Sequence, residues 1–79
     1  MNDIHIGAFI HKKLEEKEHS VAWLARKINY DPSNLRKLLK QNHIHSALLF
    51  RIADVLDEDF FVYYSQKLTD IKNITSKNR

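Results

Sequence analysis

Between Lys27 and Arg51 the cations Lys27, Arg36, Lys37, Lys40 and Arg51 face a single acid, Asp31. Arg36, Lys37 and Lys40 share one short segment with Ser33 and Asn34, so hydroxyl, amide, guanidinium and ammonium donors are gathered together. The first eighteen residues are close to charge balance and Asp54 to Asp59 is acidic, which concentrates the net charge of +3 in the middle of the chain. Donors and cations gathered in this way suit a polyanion.

Bond-making chemistry finds no comparable support. Ser20 beside His19 and Ser46 beside His45 lack an orienting acid and a nucleophile elbow. The only glycine is Gly7, so there is no glycine-rich phosphate loop. No cysteine is present. His43-x-His45 and the pair His11 and Glu15 have no third ligand at a metal-binding spacing. The sequence therefore predicts no enzyme, no metal and no cofactor. No run approaches the roughly 20 apolar residues of a membrane span, and MNDIHIGAFI carries an Asp, no Lys or Arg, and too short an apolar run for a secretory signal, so a cytoplasmic location without a membrane partner is expected.

The elements that must position the donors are helical. Ile6, Phe9, Ile10 and Leu14 recur three and four apart, predicting a first helix over about Ile4 to Lys17. Ser20 is a good cap for a second, with Val21, Leu24, Ala25 and Ile28 along one face and Asn29 as a stop residue. Asp31-Pro32 starts a third, because Asp31 can accept from free N–H groups and Pro32 fits the first helical position. Its inner face is Leu35, Leu38 and Leu39. Ser46 is expected to cap a fourth helix carrying Leu48, Leu49, Ile52, Ala53 and Leu56. Asp59 is expected to cap a fifth, from Phe60 to about Leu68. A chain of 79 residues is one domain. The reading places it at residues 1–68, with 69–79 a polar, frayed C-terminal tail.

Only about three residues, Asn29 to Asp31, separate the second and third helices, which favours a steep crossing with the small Ala25 at the contact. The run SVAWLARKINYDPSNLRKLLK resembles the helix-turn-helix of the lambda-repressor-like, or XRE-type, DNA-binding domains. The resemblance spans Ile4 to Leu68 in helix number and order. It implies an all-α, five-helix fold whose second and third helices form the reading motif. It also implies a small prokaryotic or phage-type transcriptional regulator that binds double-stranded DNA sequence-specifically. Three positions depart from the family: Asn29 stands where glycine is usual, Val21 stands where a glutamine often touches the DNA backbone, and Pro32 stands where a base-reading side chain is often found, so readout there would be only steric.

With the leucines inward, the 100° turn per residue points Ser33, Lys37 and Lys40 most directly outward. In a major groove Ser33, Lys37 and Asn34 are the expected base contacts, while Arg36 and Lys40 are expected on phosphates. Ser20, Val21 and Ser46, at helix starts, and Asn42 and His43, in the loop, complete the expected phosphate contacts. In FFVYY, Phe60, Phe61 and Tyr64 are expected to close the core, leaving Val62 and Tyr63 as candidate homodimer contacts. Trp23 is expected to cover the core edge. The alternative reading is a protein-interaction module on the same scaffold, antitoxin-like or an adaptor, using Trp23 or FFVYY.

Overall fold

Apolar residues four apart build the first helix, and the computed structural model, which describes residues 4–77 and their side chains through Lys72, places it at Ile6–Glu16 (α1). The others are Val21–Lys27 (α2), Pro32–Leu38 (α3), Ser46–Leu56 (α4) and Phe61–Lys77 (α5), with no strand among the described residues. The chain is thus all-α, with five helices.

Each start has a local cause. Ser20 Oγ accepts from the Trp23 amide at 3.0 Å, and Asp31 Oδ2 accepts from that of Asn34 at 2.9 Å with Pro32 at the first helical position. Asp59 Oδ1 accepts from the Phe61 and Val62 amides at 3.0 and 3.3 Å. At α4 the expectation needs correcting by one residue. His45 is the cap, its Nδ1 accepting from the Ala47 amide at 3.2 Å, and Ser46 is the first helical residue. The same device opens α1, where His5 Nδ1 accepts from the Ala8 amide at 3.0 Å.

Three helices end alike. Glu18, Asn29 and Asp57 have φ of 59°, 54° and 51°, and the residues after them, His19, Tyr30 and Glu58, donate back to the carbonyls of Leu14, Ala25 and Ala53. This is the Schellman closure, which normally uses glycine because a side chain in the left-handed region costs about 1 kcal/mol. Glu18 has none of the local hydrogen-bonding advantage of asparagine or aspartate. Glu18→Gly should therefore stabilise the fold by about 0.5–1 kcal/mol, read as a higher midpoint in urea. An unchanged or lower midpoint contradicts the account.

Every helix start or face contributes to one core. Ile6, Ile10, Leu14, Leu24, Ala25, Ile28, Leu35, Leu39, Leu49, Ile52, Leu56 and Phe60 are buried, and no polar side chain is buried with them among the described residues. Gly7 lies buried against the backbone beyond α3. A Cβ there would overlap the Leu39 carbonyl oxygen and sit 2.6 Å from its carbon and 2.7 Å from the Gln41 carbonyl oxygen.

Lys13 Nζ lies 3.2 Å from Glu16 and 3.7 Å from Glu58, tying α1 to the corner between α4 and α5. The hydrogen bond to Glu16, then the charges of Glu16 and Glu58, raise the Lys13 pKa above its ordinary 10.5, and burial raises that of Tyr64 above 10.0. A raised folded-state pKa contributes stability that is complete below the unfolded value and lost as pH rises through the folded one. Stability should therefore fall as pH climbs past 10, and Lys13→Met should make that fall shallower in melts followed by circular dichroism. An unaltered slope contradicts this linkage.

The fifth helix departs from expectation twice. It runs to Lys77, well past the expected end near Leu68, while residues 78 and 79 of the expected tail lie outside the described residues. No glycine or proline interrupts it, and two bonds one turn apart support it: Gln66 Nε2 donates to Asp70 at 3.1 Å and Thr69 Oγ1 to the Ser65 carbonyl at 3.0 Å. Its phase also differs. Tyr63 packs inward, stacked on Phe9 with ring centroids 4.7 Å apart, whereas Phe61 and Tyr64 are exposed along with Val62. Of the two candidate dimer contacts, Val62 is on the surface and Tyr63 is corrected to a core-edge residue.

Candidate nucleic-acid interface

The arrangement begins with α2 packed against α3, with Ala25 of α2 fully buried. Asn29 in the left-handed conformation reverses the chain, the Tyr30 amide donates to the Ala25 carbonyl at 2.8 Å, and Asp31 then opens α3. Leu35 and Leu39 are buried and Leu38 is half-buried. These three fix the rotation of α3 about its axis.

That rotation decides which side chains meet solvent. Ser33, Asn34, Arg36, Lys37 and Lys40 are all exposed, as expected for a face with leucines beneath it. Ser20 is exposed and Val21 half-buried at the start of α2. Asn42 and His43 are exposed in the loop after α3, and Ser46 is exposed at the start of α4. α3 contains no acid beside Arg36 and Lys37, and Lys40 follows its cap.

Arg36 and Lys40 share a groove of about 330 Å³ with Val21, Leu39 and His11. The groove has an apolar floor and a basic rim, formed where α1, α2 and α3 meet. His11 was not among the residues expected here. Its Nδ1 lies 3.2 Å from Glu15 Oε1, which leaves Nε2 as the other polar atom of the ring. Its position follows from the phase of α1: His11 comes directly after the buried Ile10, on the edge of the core-facing stripe.

Two braces hold the arrangement and also escape sequence reading. Arg51 on α4 donates to the Ile28 carbonyl at the end of α2, so this cation serves to fasten α2 to α4. His5 Nε2 lies 3.1 Å from the Lys40 carbonyl, while its Nδ1 accepts at the start of α1. That pair of bonds requires the neutral Nε2–H tautomer. Through it the start of α1 holds the exit of α3.

Trp23 covers the core edge as expected. It is half-buried, stacks on His19 with centroids 3.6 Å apart and planes 4° from parallel, and has Lys27 Nζ 5.7 Å from its ring centre. Its faces are thus occupied by its own helix and the preceding turn. Among the described residues, no helix is long and apolar enough to cross a membrane.

No family model, no curated protein and no solved structure matches this chain.

Proposed function

We propose that the chain binds double-stranded DNA in a sequence-specific manner, as a small prokaryotic or phage-type transcriptional regulator of the lambda-repressor-like kind, with α3 in the major groove. The observation that carries the reading is the exposed, acid-free face of α3, set on a short turn against α2. An α-helix fits the major groove, and residues near its N-terminus lie deepest. Ser33, Asn34 and Lys37 are assigned to base edges. Lysine can donate to O6 and N7 of guanine, serine to several bases, and asparagine can pair with adenine. Arg36 and Lys40 are assigned to phosphates, with Ser20, Val21, Asn42, His43 and Ser46 along the flanking strand. The exposure of Arg36, Lys37 and Lys40 supports the division, and the groove rim that carries Arg36 and Lys40 is suited to a phosphate.

Binding of this kind needs no catalytic group or cofactor. One module buries limited area on DNA, so two copies on adjacent half-sites belong to the same reading. The alternative, a protein-interaction module, draws support from the exposed Phe50, Phe61, Val62 and Tyr64 and none from Trp23, whose faces are occupied. That aromatic surface is compatible with DNA binding through α3.

Selection of the protein against a random duplex library at moderate salt tests the proposal. Enrichment of a palindromic site is the expected result. Failure to enrich any duplex, with no retention of the unselected library at low salt, would turn the assignment over to the interaction module.

A further inference from the structure

We propose that the groove where α1, α2 and α3 meet binds a small aromatic carboxylate, and that the bound carboxylate excludes the duplex. The exclusion rests on the DNA reading above, whereas the binding itself does not.

Unpaired cations mark the groove. Arg36 and Lys40 line it, and neither side chain makes a hydrogen bond or ion pair among the described residues. No acid lines it, and Glu15, one turn along α1 from the lining residue His11, is engaged with His11 Nδ1 at 3.2 Å. The backbone carbonyls at the exit of α3 are occupied as well. Those of Leu35, Lys37 and Leu38 accept from the amides of Leu39, Lys40 and Gln41, and that of Lys40 lies 3.1 Å from His5 Nε2. The groove thus offers a ligand a guanidinium fork and an ammonium. The fork matches the two oxygens of a carboxylate, and such charge-assisted hydrogen bonds are the strong ones.

The floor asks for more than an anion. Val21 is half-buried and Leu39 is 6% exposed, and both line the groove. A phosphate or acetate ion would leave that apolar surface wet. An aromatic ring carrying the carboxylate covers it, and a planar ring can also stack on the Arg36 guanidinium. The volume of about 330 Å³ lies at the lower end of the roughly 300–1,000 Å³ typical of small-molecule sites, which suits one or two rings.

Charge separates this groove from the other one. At the α4–α5 corner Phe50 and Phe61 also offer apolar surface, but Asp54, Asp57, Glu58 and Asp59 line it with them. An aromatic anion is repelled there and attracted between Arg36 and Lys40. Those are the two cations assigned to phosphates, so a carboxylate that holds both leaves the duplex without them. The coupling is reciprocal: the duplex expels the carboxylate to the same degree.

Titration of the isotope-labelled whole chain with naphthoate, followed through amide NMR signals, tests the site. Saturable shifts should centre on the residues lining the groove. Naphthalenemethanol, which keeps the rings without the charge, and acetate, which keeps the charge without the rings, should each bind at least about tenfold more weakly. Arg36→Gln with Lys40→Gln should weaken naphthoate about tenfold or more while keeping the wild-type melting transition. Lys17→Gln, which removes an exposed lysine outside the groove, should change naphthoate affinity by less than about twofold. Naphthoate at about ten times its Kd should raise the apparent duplex Kd about elevenfold. The absence of saturable shifts, shifts centred on Phe50 and Phe61, or equal binding of the neutral alcohol overturns the site. A chain that holds naphthoate and the duplex together overturns the exclusion. Naphthoate binding in the groove of a chain that takes no duplex upholds the site and rejects the DNA reading.

Discussion

Gly7→Ala should destabilise the chain by about 3 kcal/mol, near the upper end of what overpacking costs. Two effects compete at this position. Alanine is the better helix former by about 1 kcal/mol, so on propensity alone the change would stabilise α1. Against it stands the overlap of the new Cβ with the Leu39 carbonyl and the closeness of the Gln41 carbonyl oxygen. Those atoms are backbone, so no rotamer change relieves the contact. Either α1 must tilt away, uncovering Ile6 and Ile10, or the α3–α4 loop must move and break the His5 bond to the Lys40 carbonyl. In a domain of this size each kcal/mol shifts the midpoint by about 4–8 °C, so the melting temperature should fall by roughly 15 °C. A thermal melt followed at the helical circular-dichroism band decides it. An equal or higher midpoint would mean that α1 does not approach the α3–α4 loop as described.

Lys37→Ala and Lys40→Ala should then separate reading from holding. If Lys37 donates to a base edge, its loss lowers affinity for the selected duplex by about 1–3 kcal/mol and relaxes preference at one base pair. If Lys40 meets a phosphate, its loss weakens all duplexes alike and reduces the salt slope by about one. Both side chains are exposed and each change removes one positive charge, so general charge loss cannot produce that difference. Competition titrations with the selected duplex and point-substituted versions provide the comparison. Identical profiles for the two variants would remove Lys37 from the base-reading set.

The parts of this architecture legible in sequence are those set by near neighbours. Ser20, Asp31 and Asp59 cap helices because the amides they accept are two or three residues away. Asn29 ends α2 because its own backbone tolerates the left-handed region. Leu35 and Leu39 turn inward because the period of α3 leaves them no other face. What sequence did not reveal depends on partners far along the chain. Phe60, Phe61, Tyr63 and Tyr64 are all aromatic, so local pattern does not fix the phase of α5, and the Phe9 ring on α1 selects Tyr63. Gly7 looks like a helix weakness until the Leu39 carbonyl is beside it. Arg51 counts as one more cation until it is found donating to Ile28. His45 displaced Ser46 as a cap because an imidazole nitrogen can accept an amide as a hydroxyl does. The length of α5 was hidden because apolar periodicity marks where a helix packs, while the absence of a breaker lets it continue.

The central claim is that the outer face of α3 meets a duplex, and the salt dependence of binding tests it most directly. A fluorescent duplex carrying the selected site, titrated with the whole chain at several salt concentrations, should lose affinity linearly on logarithmic axes. The slope should be about 0.9 per phosphate neutralised, so several contacts give a steep line, and Arg36→Ala with Lys40→Ala should reduce it by about two. No binding at low salt, or a slope untouched by removing both cations, would contradict the assignment of this face to DNA.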